Sequence, residues 1–351
     1  MKTHDATPSL LDLPFPAAAT NPLTQRVQEH TRDWAYRFCL VRGVDAVRRF
    51  RRLRVGYLSG RTHPHLPFDE LALATDWLTW LFHLHGQVDE LPPGLFAAAD
   101  RRLAEQVTAV LQPGGQSADT PVSRALANLW RRTAQMAPTA RIPTQWRERF
   151  TADLVDHVSW LRQGVPVPNG SRRVPEMESY VAARRHSSGM FLALDLVEVA
   201  GHVDVPGDLA ASPEFQALRR AANDVVSWTS DIASHASDVA RGEVDNLVVV
   251  LQHQQRSPGA AVRHATDLVN GRTEDFLAAK QALPAACDRL ELSAADRGGL
   301  PGVVAGYEAW MRGSRDWSLD TERYLWVDDW SARTRAGGSA QGRHRELTAV
   351  P

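Results

Sequence analysis

A chain of 351 residues with 43% hydrophobic content can bury a large core, as one big domain or two smaller ones, which excludes disorder throughout. Its 40 basic and 41 acidic residues leave a formal charge of -1, so electrostatics give no case for nucleic acid or an anionic membrane as the main partner. Two cysteines, Cys39 and Cys287, cannot make a disulfide framework and show no metal-ligand spacing, which suits a reducing cytoplasm.

The first twenty residues are rich in Pro, Ala and Thr and read as a loose segment. The N-terminus has no basic region followed by an apolar run, and no segment holds the roughly eighteen apolar residues of a membrane span, so a soluble chain without stable membrane insertion is expected. Apolar residues recur at three- and four-residue spacing and β-branched alternation is scarce, which predicts an all-α fold. Helices are expected at roughly 22–40, 68–85, 99–112, 121–137, 143–163, 175–201, 212–241, 258–281 and 299–314. The basic run RRFRRLR, Arg48 to Arg54, reads as a solvated helix face. Proline and glycine clusters (HPHLP, LPP, QPGGQS, GVPVPNG, VPGD) mark loops, since proline removes a donor and glycine frees φ. Residues 21–333 are expected to form one α-helical domain and residues 334–351, polar, basic and Gly-rich, a flexible tail.

Four segments carry candidate chemistry. In FDELALATDWLTWLFHLHGQVDE, Phe68 to Glu90, an aromatic-rich helix with Trp80 and Phe82 runs through His85 and Gly86 to Asp89 and Glu90. In VPEMESYVAARRHSSGM, Tyr180 precedes Arg184 and Arg185, and Ser187, Ser188 and Gly189 then interrupt the helical pattern. A guanidinium suits phosphate because its planar fork donates two parallel hydrogen bonds, and a helix break is costly unless the freed carbonyls have a use or a partner. In SDIASHASDVARGEVDNLVVVL, Ser230 to Leu251, the residues Ser230, Ser234 and Asp238 stand at four-residue steps. Steps of four turn a helix by about 400°, so all three lie within an arc of roughly 80° and can converge on one ion; hard Mg²⁺ takes such oxygen ligands. An alternative register seven residues earlier offers Asn223, Ser227 and Asp231. Near the C-terminus, YEAWMRGSRDWSLDTERYLW carries Trp310, Trp317 and the pair Arg323 and Tyr324.

In this order, over roughly residues 12 to 330, these segments resemble class I terpene synthases of the bacterial type. The resemblance implies a single α-helical bundle with a central cavity. It also implies a linear prenyl diphosphate as substrate, farnesyl or geranylgeranyl diphosphate, cyclised with release of diphosphate. Asp89, Glu90, Ser230, Ser234 and Asp238 take the places of metal ligands. Arg184 and Arg185, with Arg323 and Tyr324, take those of the diphosphate grip. Ser188 and Gly189 stand where the family's helix break aims a carbonyl at the reacting carbons. The flanks, ALRRAANDVV before and Arg241, Gly242, Glu243 and Asn246 after, favour the register that begins at Ser230.

The chain departs from the family in two places. Ser230 replaces an asparagine, and His85 and Gly86 replace the two leading aspartates of the first metal helix. Imidazole prefers Zn, Fe or Ni to Mg, so His85 stands as a ligand for another metal, as a direct partner of diphosphate, or as neither. Mg²⁺ remains the expected cofactor, with fewer ions or another divalent metal as the alternative. Trp80, Phe82, Phe191 and Trp228 lie on helices expected to line the cavity, where aromatic faces stabilise migrating positive charge. Two functions follow: a terpene cyclase, or a prenyl-diphosphate-binding homologue that has lost metal-dependent ionisation. A monomer and a homodimer are both open.

Overall fold

The computed structural model describes residues 11, 13–17, 19–90, 105–111, 119–136, 143–161, 173–254, 257–321 and 323, the side chains of residues 86–90 excepted. Every regular element among them is helical: α1 (Thr24–Arg37), α2 (Val44–Leu53), α3 (Val55–Thr62), α4 (Phe68–Glu90), α5 (Pro121–Met136), α6 (Thr144–Leu161), α7 (Met177–Ser187), α8 (Met190–Ala200), α9 (Gly207–Ala210), α10 (Pro213–Arg241), α11 (Leu247–His253), α12 (Pro258–Arg289), α13 (Ala294–Gly298) and α14 (Leu300–Asp320). Residues 105–111, between α4 and α5, are helical as well.

The long helices begin where the sequence supplies caps. Ser212 accepts from Phe215 N at 3.2 Å ahead of Pro213, and Ser257 plays the same part ahead of Pro258. α10 is the hub, buried along most of its length from Phe215 to Ser237 and packed against α7, α8, α11, α12 and α14. α8 is buried at every position but Phe191. On the other side α1, α3 and α4 pack together, with α14 against α3.

Several expectations need correction. The helix expected at 175–201 is two helices, interrupted at Ser188 and Gly189, as the SSG signal foretold. The helix expected at 258–281 runs through Pro284 to Arg289, and the last continues from 314 to Asp320. α3, α9, α11 and α13 had no expected counterpart, and α2 was anticipated only as the solvated helix face of the Arg48 to Arg54 run. α2 buries Phe50 alone, α11 is a seven-residue apolar run too short to show a period, and α3 hides its period behind glycines. Those glycines permit close approach: a Cβ on Gly56 would lie 2.7 Å from Gln28 Cα, and one on Gly313 of α14 would lie 2.6 Å from the Arg61 carbonyl oxygen. The first twenty residues are not loose throughout. Leu11, Leu13 and Phe15 are buried, Phe15 packs edge-on against Phe276, and its carbonyl accepts from Arg312 at 2.8 Å. Residues 334–351 lie outside the described residues.

A buried ionic network joins α6, α8 and α10. Arg149 holds Asp195 at 2.9 Å and Glu198 at 2.6 Å, and Arg219 holds Asp195 at 2.7 Å and Asp153 at 3.0 Å. Three carboxylates face two guanidiniums, so the surplus carboxylate is driven to hold a proton. Burial, the largest cause, and the charge of Asp195 raise Asp153 to about 7 and Glu198 to about 8, against the opposing arginines.

Candidate active site

The residues singled out in the sequence gather where the C-terminal half of α10 meets the α7–α8 break, the start of α11 and the end of α4. At the break the helix gives up its ladder, because Gly189 adopts φ +72° and α8 restarts at Met190. The carbonyls released there find specific partners. Arg185 O accepts from Asn223 Nδ2 at 2.8 Å, and His186 O accepts from the ring Nδ1 of His157 at 3.0 Å. Ser188 Oγ accepts from Met190 N at 3.1 Å and lies 3.1 Å from Asn223 Oδ1. The interruption is therefore built by α10 and α6 and not by local sequence alone.

Arg184 and Arg185, adjacent in sequence, part company in the fold. Arg185 makes a two-pronged pair with Asp224 at 2.8 and 2.7 Å, and Arg272 of α12 approaches the same carboxylate at 2.9 Å. Asp224 is buried, so this cluster ties α7, α10 and α12 together. Arg184 instead reaches Asp231 through Nε at 3.1 Å and Nη2 at 2.7 Å, and Ser227 O at 3.3 Å. Asp231 also accepts from the Tyr180 hydroxyl and, at 3.0 Å, from Leu247 N. Burial raises the Tyr180 hydroxyl well above its ordinary pKa, with Asp231 adding to it, so the phenol keeps its proton and donates.

The two candidate triads differ in what they already do. In the earlier register, Asn223 bonds the break, Ser227 Oγ donates to Asn223 O at 2.7 Å, and Asp231 is consumed by four donors; all three are buried. In the later register Ser230 and Asp238 are half-buried and Ser234 lies just inside the surface. Ser234 Oγ donates to Asp238 Oδ2, Asn246 Nδ2 reaches that oxygen at 2.8 Å, and Arg241 pairs with Oδ1. Asn246 was noted in the sequence only as part of the flank. Its Oδ1 also caps α11 through Val248 N at 2.9 Å, so one side chain links the triad to the next helix.

The remaining sites divide. Trp80 does not line a cavity: it is fully buried between α4 and α5, its indole donating to Val122 O at 3.0 Å. Trp228 is likewise buried in the core. Phe82 is half-buried, tilts against Trp317 at 6.1 Å and carries the Arg323 guanidinium 4.7 Å above its ring centre. Phe191 meets His186 edge-on at 6.0 Å and Arg219 at 5.2 Å. His85 is half-buried with its ring centre 5.2 Å from that of His157. Tyr324 and the side chains of Gly86, Asp89 and Glu90 lie outside the described residues. Among the described residues no group of three or more His, Cys, Asp or Glu is arranged to hold a metal, and no helix is long and apolar enough to cross a membrane. The sequence reading missed Asp224, His157 and the role of Asn246. Their signal was pairing across helices, which no single segment carries.

An all-α bundle with an arginine-bearing helix break facing a Ser/Asp stripe defines a class I prenyl-diphosphate enzyme. The model of the terpene synthase family 2 C-terminal metal-binding domain matches residues 76–275. Pristinol synthase of Streptomyces pristinaespiralis is 30% identical over 351 residues, covering 95% of this chain and 91% of that one. (+)-T-muurolol synthase of Roseiflexus castenholzii is 32% identical over 316 residues, covering 89% and 92%. Germacradien-4-ol synthase from Streptomyces citricolor superposes with a TM-score of 0.76 at 25% identity, over 89% of this chain and 98% of that one. The chain belongs to the terpene synthase family, and it is a class I terpene cyclase, a lyase that releases diphosphate from a linear prenyl diphosphate.

Proposed function

We propose that the substrate is farnesyl diphosphate, cyclised to a sesquiterpene hydrocarbon or alcohol in the cytoplasm. The muurolol synthase and 4-epi-cubebol synthase relatives are named for cyclising that substrate. The observation that carries the residue assignment is the division of labour between the two arginines. Arg185 is tied to Asp224, a carboxylate that Arg272 of α12 shares, whereas Arg184 is tied to Asp231 on the C-terminal half of α10, which Tyr180 and Leu247 N also hold. Arg184 is thus the diphosphate sensor, joined by Arg323 over Phe82 and by Tyr324.

The donor set of the later register fits one hard ion. Ser230, Ser234 and Asp238 offer two hydroxyls and a carboxylate, and the Arg241 partner of Asp238 is a half-exposed i,i+3 pair that can give way. These residues would hold Mg²⁺, together with Asp89 or Glu90, and the ion would offset the charge that collects on departing diphosphate. Departure breaks the C1–O bond of the substrate, the electron pair leaves with diphosphate, and an allylic cation remains. Arg184 and Arg323 hold the leaving anion by charge-assisted hydrogen bonds. Of the backbone carbonyls around the break at Ser188 and Gly189, Arg185 O and His186 O are engaged by Asn223 and His157, so those of Ser187 and Ser188 would be the ones to stabilise the cation.

Purified protein incubated with geranyl, farnesyl or geranylgeranyl diphosphate, with Mg²⁺ or chelator, tests this by gas chromatography and diphosphate release. Farnesyl diphosphate is expected to give a cyclic product. Tight binding with no release from any of the three overturns the reading.

A further inference from the structure

The charge of the chain is unevenly placed. Between Arg37 and Arg54 seven arginines stand against a single acid, Asp45, in a protein whose formal charge is -1 overall. Most of them lie on α2, which buries only Phe50. Around that helix Arg51, Arg48 and Arg52 fall within an arc of roughly 100° on the side away from Phe50, and Arg48 and Arg51 are exposed. The one acid meets this stripe weakly: Asp45 lies 3.8 Å from Arg48, with both side chains half exposed.

The placement of α2 gives this charge a direction. The Arg52 carbonyl accepts from Thr321 Oγ1 at 3.4 Å, and Thr321 Oγ1 in turn accepts from Arg323 N at 3.2 Å. Two hydrogen bonds therefore join the C-terminal end of α2 to the residue whose guanidinium lies over Phe82. Arg48 stands about one helical turn, roughly 6 Å, farther back along the stripe. The acids at the neighbouring end of α14 do not cancel it, because each is already matched: Asp320 by Arg61, and Asp316 by Arg312 and Arg315. A surface of one sign attracts a polyanion over about a Debye length, roughly 10 Å at 0.1 M salt, and the attraction fades as salt rises.

We propose that the arginine stripe of α2 is a capture surface for the diphosphate end of the substrate, drawing the polyanion toward the site and handing it to Arg323. The inference rests on the prenyl-diphosphate reading and adds a step ahead of binding. Capture of this kind needs no fixed contact, so it acts on substrate binding and leaves the bond-breaking step alone. It also explains why a helix that buries a single side chain carries so much charge of one sign.

The test compares Arg48→Gln/Arg51→Gln with Lys280→Gln/Arg289→Gln. The second pair removes the same charge far from Arg323, where Lys280 meets Glu308 in the first half of α14 and Arg289 meets Glu214 at the start of α10. Steady-state kcat/KM for farnesyl diphosphate is measured at fixed Mg²⁺ from about 20 to about 300 mM ionic strength. The stripe variant is expected to lose about threefold or more in kcat/KM at the low end and to converge on the wild type at the high end, with kcat and the unfolding midpoint unchanged. The control variant should match the wild type throughout. Calorimetric titration with inorganic diphosphate should show the same salt-dependent gap in Kd. That second readout does not need turnover, so a failed substrate assignment is told apart from a failed capture surface. A stripe variant equal to the wild type in both quantities at low salt, a loss that salt does not remove, or an equal loss in the control overturns the proposal. A loss seen only when phosphatidylglycerol vesicles are present overturns it in favour of a lipid-docking face.

Discussion

Replacing Asp231 and Asp238 separately with alanine should separate a structural carboxylate from a metal-holding one. Asp231 is 2% exposed and accepts from Tyr180, twice from Arg184, and from Leu247 N. Asp231→Ala leaves the Arg184 guanidinium uncompensated in the interior and the Leu247 amide unsatisfied. Breaking a buried pair from one side costs about 3–5 kcal/mol. At roughly 2–4 °C per kcal/mol for chains of this order, the midpoint should fall by about 10 °C. Asp238 is 14% exposed and its partner Arg241 36% exposed, so the pair itself is worth about 0–1 kcal/mol. With the lost bonds to Ser234 and Asn246, Asp238→Ala should cost about 1–2 kcal/mol and a few degrees. Activity should respond in the opposite way. As the sole carboxylate of its triad, Asp238 should govern the Mg²⁺ concentration that half-saturates turnover, and its loss should raise that concentration about tenfold or more. The protein that remains folded in Asp231→Ala should show the wild-type Mg²⁺ requirement. Differential scanning fluorimetry and Mg²⁺ titrations of farnesyl diphosphate turnover measure both quantities. A shifted Mg²⁺ requirement in Asp231→Ala, with none in Asp238→Ala, would refute the assignment and move the metal to the earlier register.

Three further outcomes are expected. Asp153 and Glu198 have folded-state pKa values raised to about 7 and about 8, so the folded chain holds a proton that the unfolded chain has released. Their contribution is fully present below the ordinary carboxylate range, is lost as pH rises from about 4 toward 7 and 8 at up to about 1.4 kcal/mol per pH unit for each proton, and levels off above; thermal unfolding from pH 4 to 9 should show Glu198→Gln flattening that loss. Gly189→Ala forces a side chain into φ +72° and sets its Cβ 3.3 Å from His157 Cε1, which should cost about 1–2 kcal/mol and alter the ratio of products seen by gas chromatography. Gly313→Ala places a Cβ 2.6 Å from the Arg61 carbonyl oxygen, so α3 and α14 must move apart; the midpoint should fall with a cost of about 1–3 kcal/mol while KM for the diphosphate substrate stays unchanged.

What could be read from the chain itself follows from local periodicity and from spacing within single segments. Apolar residues at helical steps announced the α fold, the SSG run announced the interruption between α7 and α8, and the serine and aspartate steps of α10 announced a one-sided stripe. Periodicity failed where the helix face is small or short: Gly56 and Gly60 conceal α3, and α11 is too brief to repeat. It also could not show that Leu11, Leu13 and Phe15 are drawn into the core, because burial depends on what packs over them. Choosing between neighbours was beyond any single segment. Arg184 and Arg185 are chemically identical side chains about 100° apart on one helix, and only the placement of Asp231 and Asp224 across the α7–α10 contact gives them different partners. The same holds for Asp231 and Asp238, which share a stripe but differ in depth, and for His157, whose meaning arises from a carbonyl on another helix and an imidazole on a third. The sequence by itself determined the family, the helices and the list of candidate groups. The tertiary structure decided which of them are already satisfied by one another, because hydrogen-bond and charge compensation between helices are set by packing and are invisible along the chain.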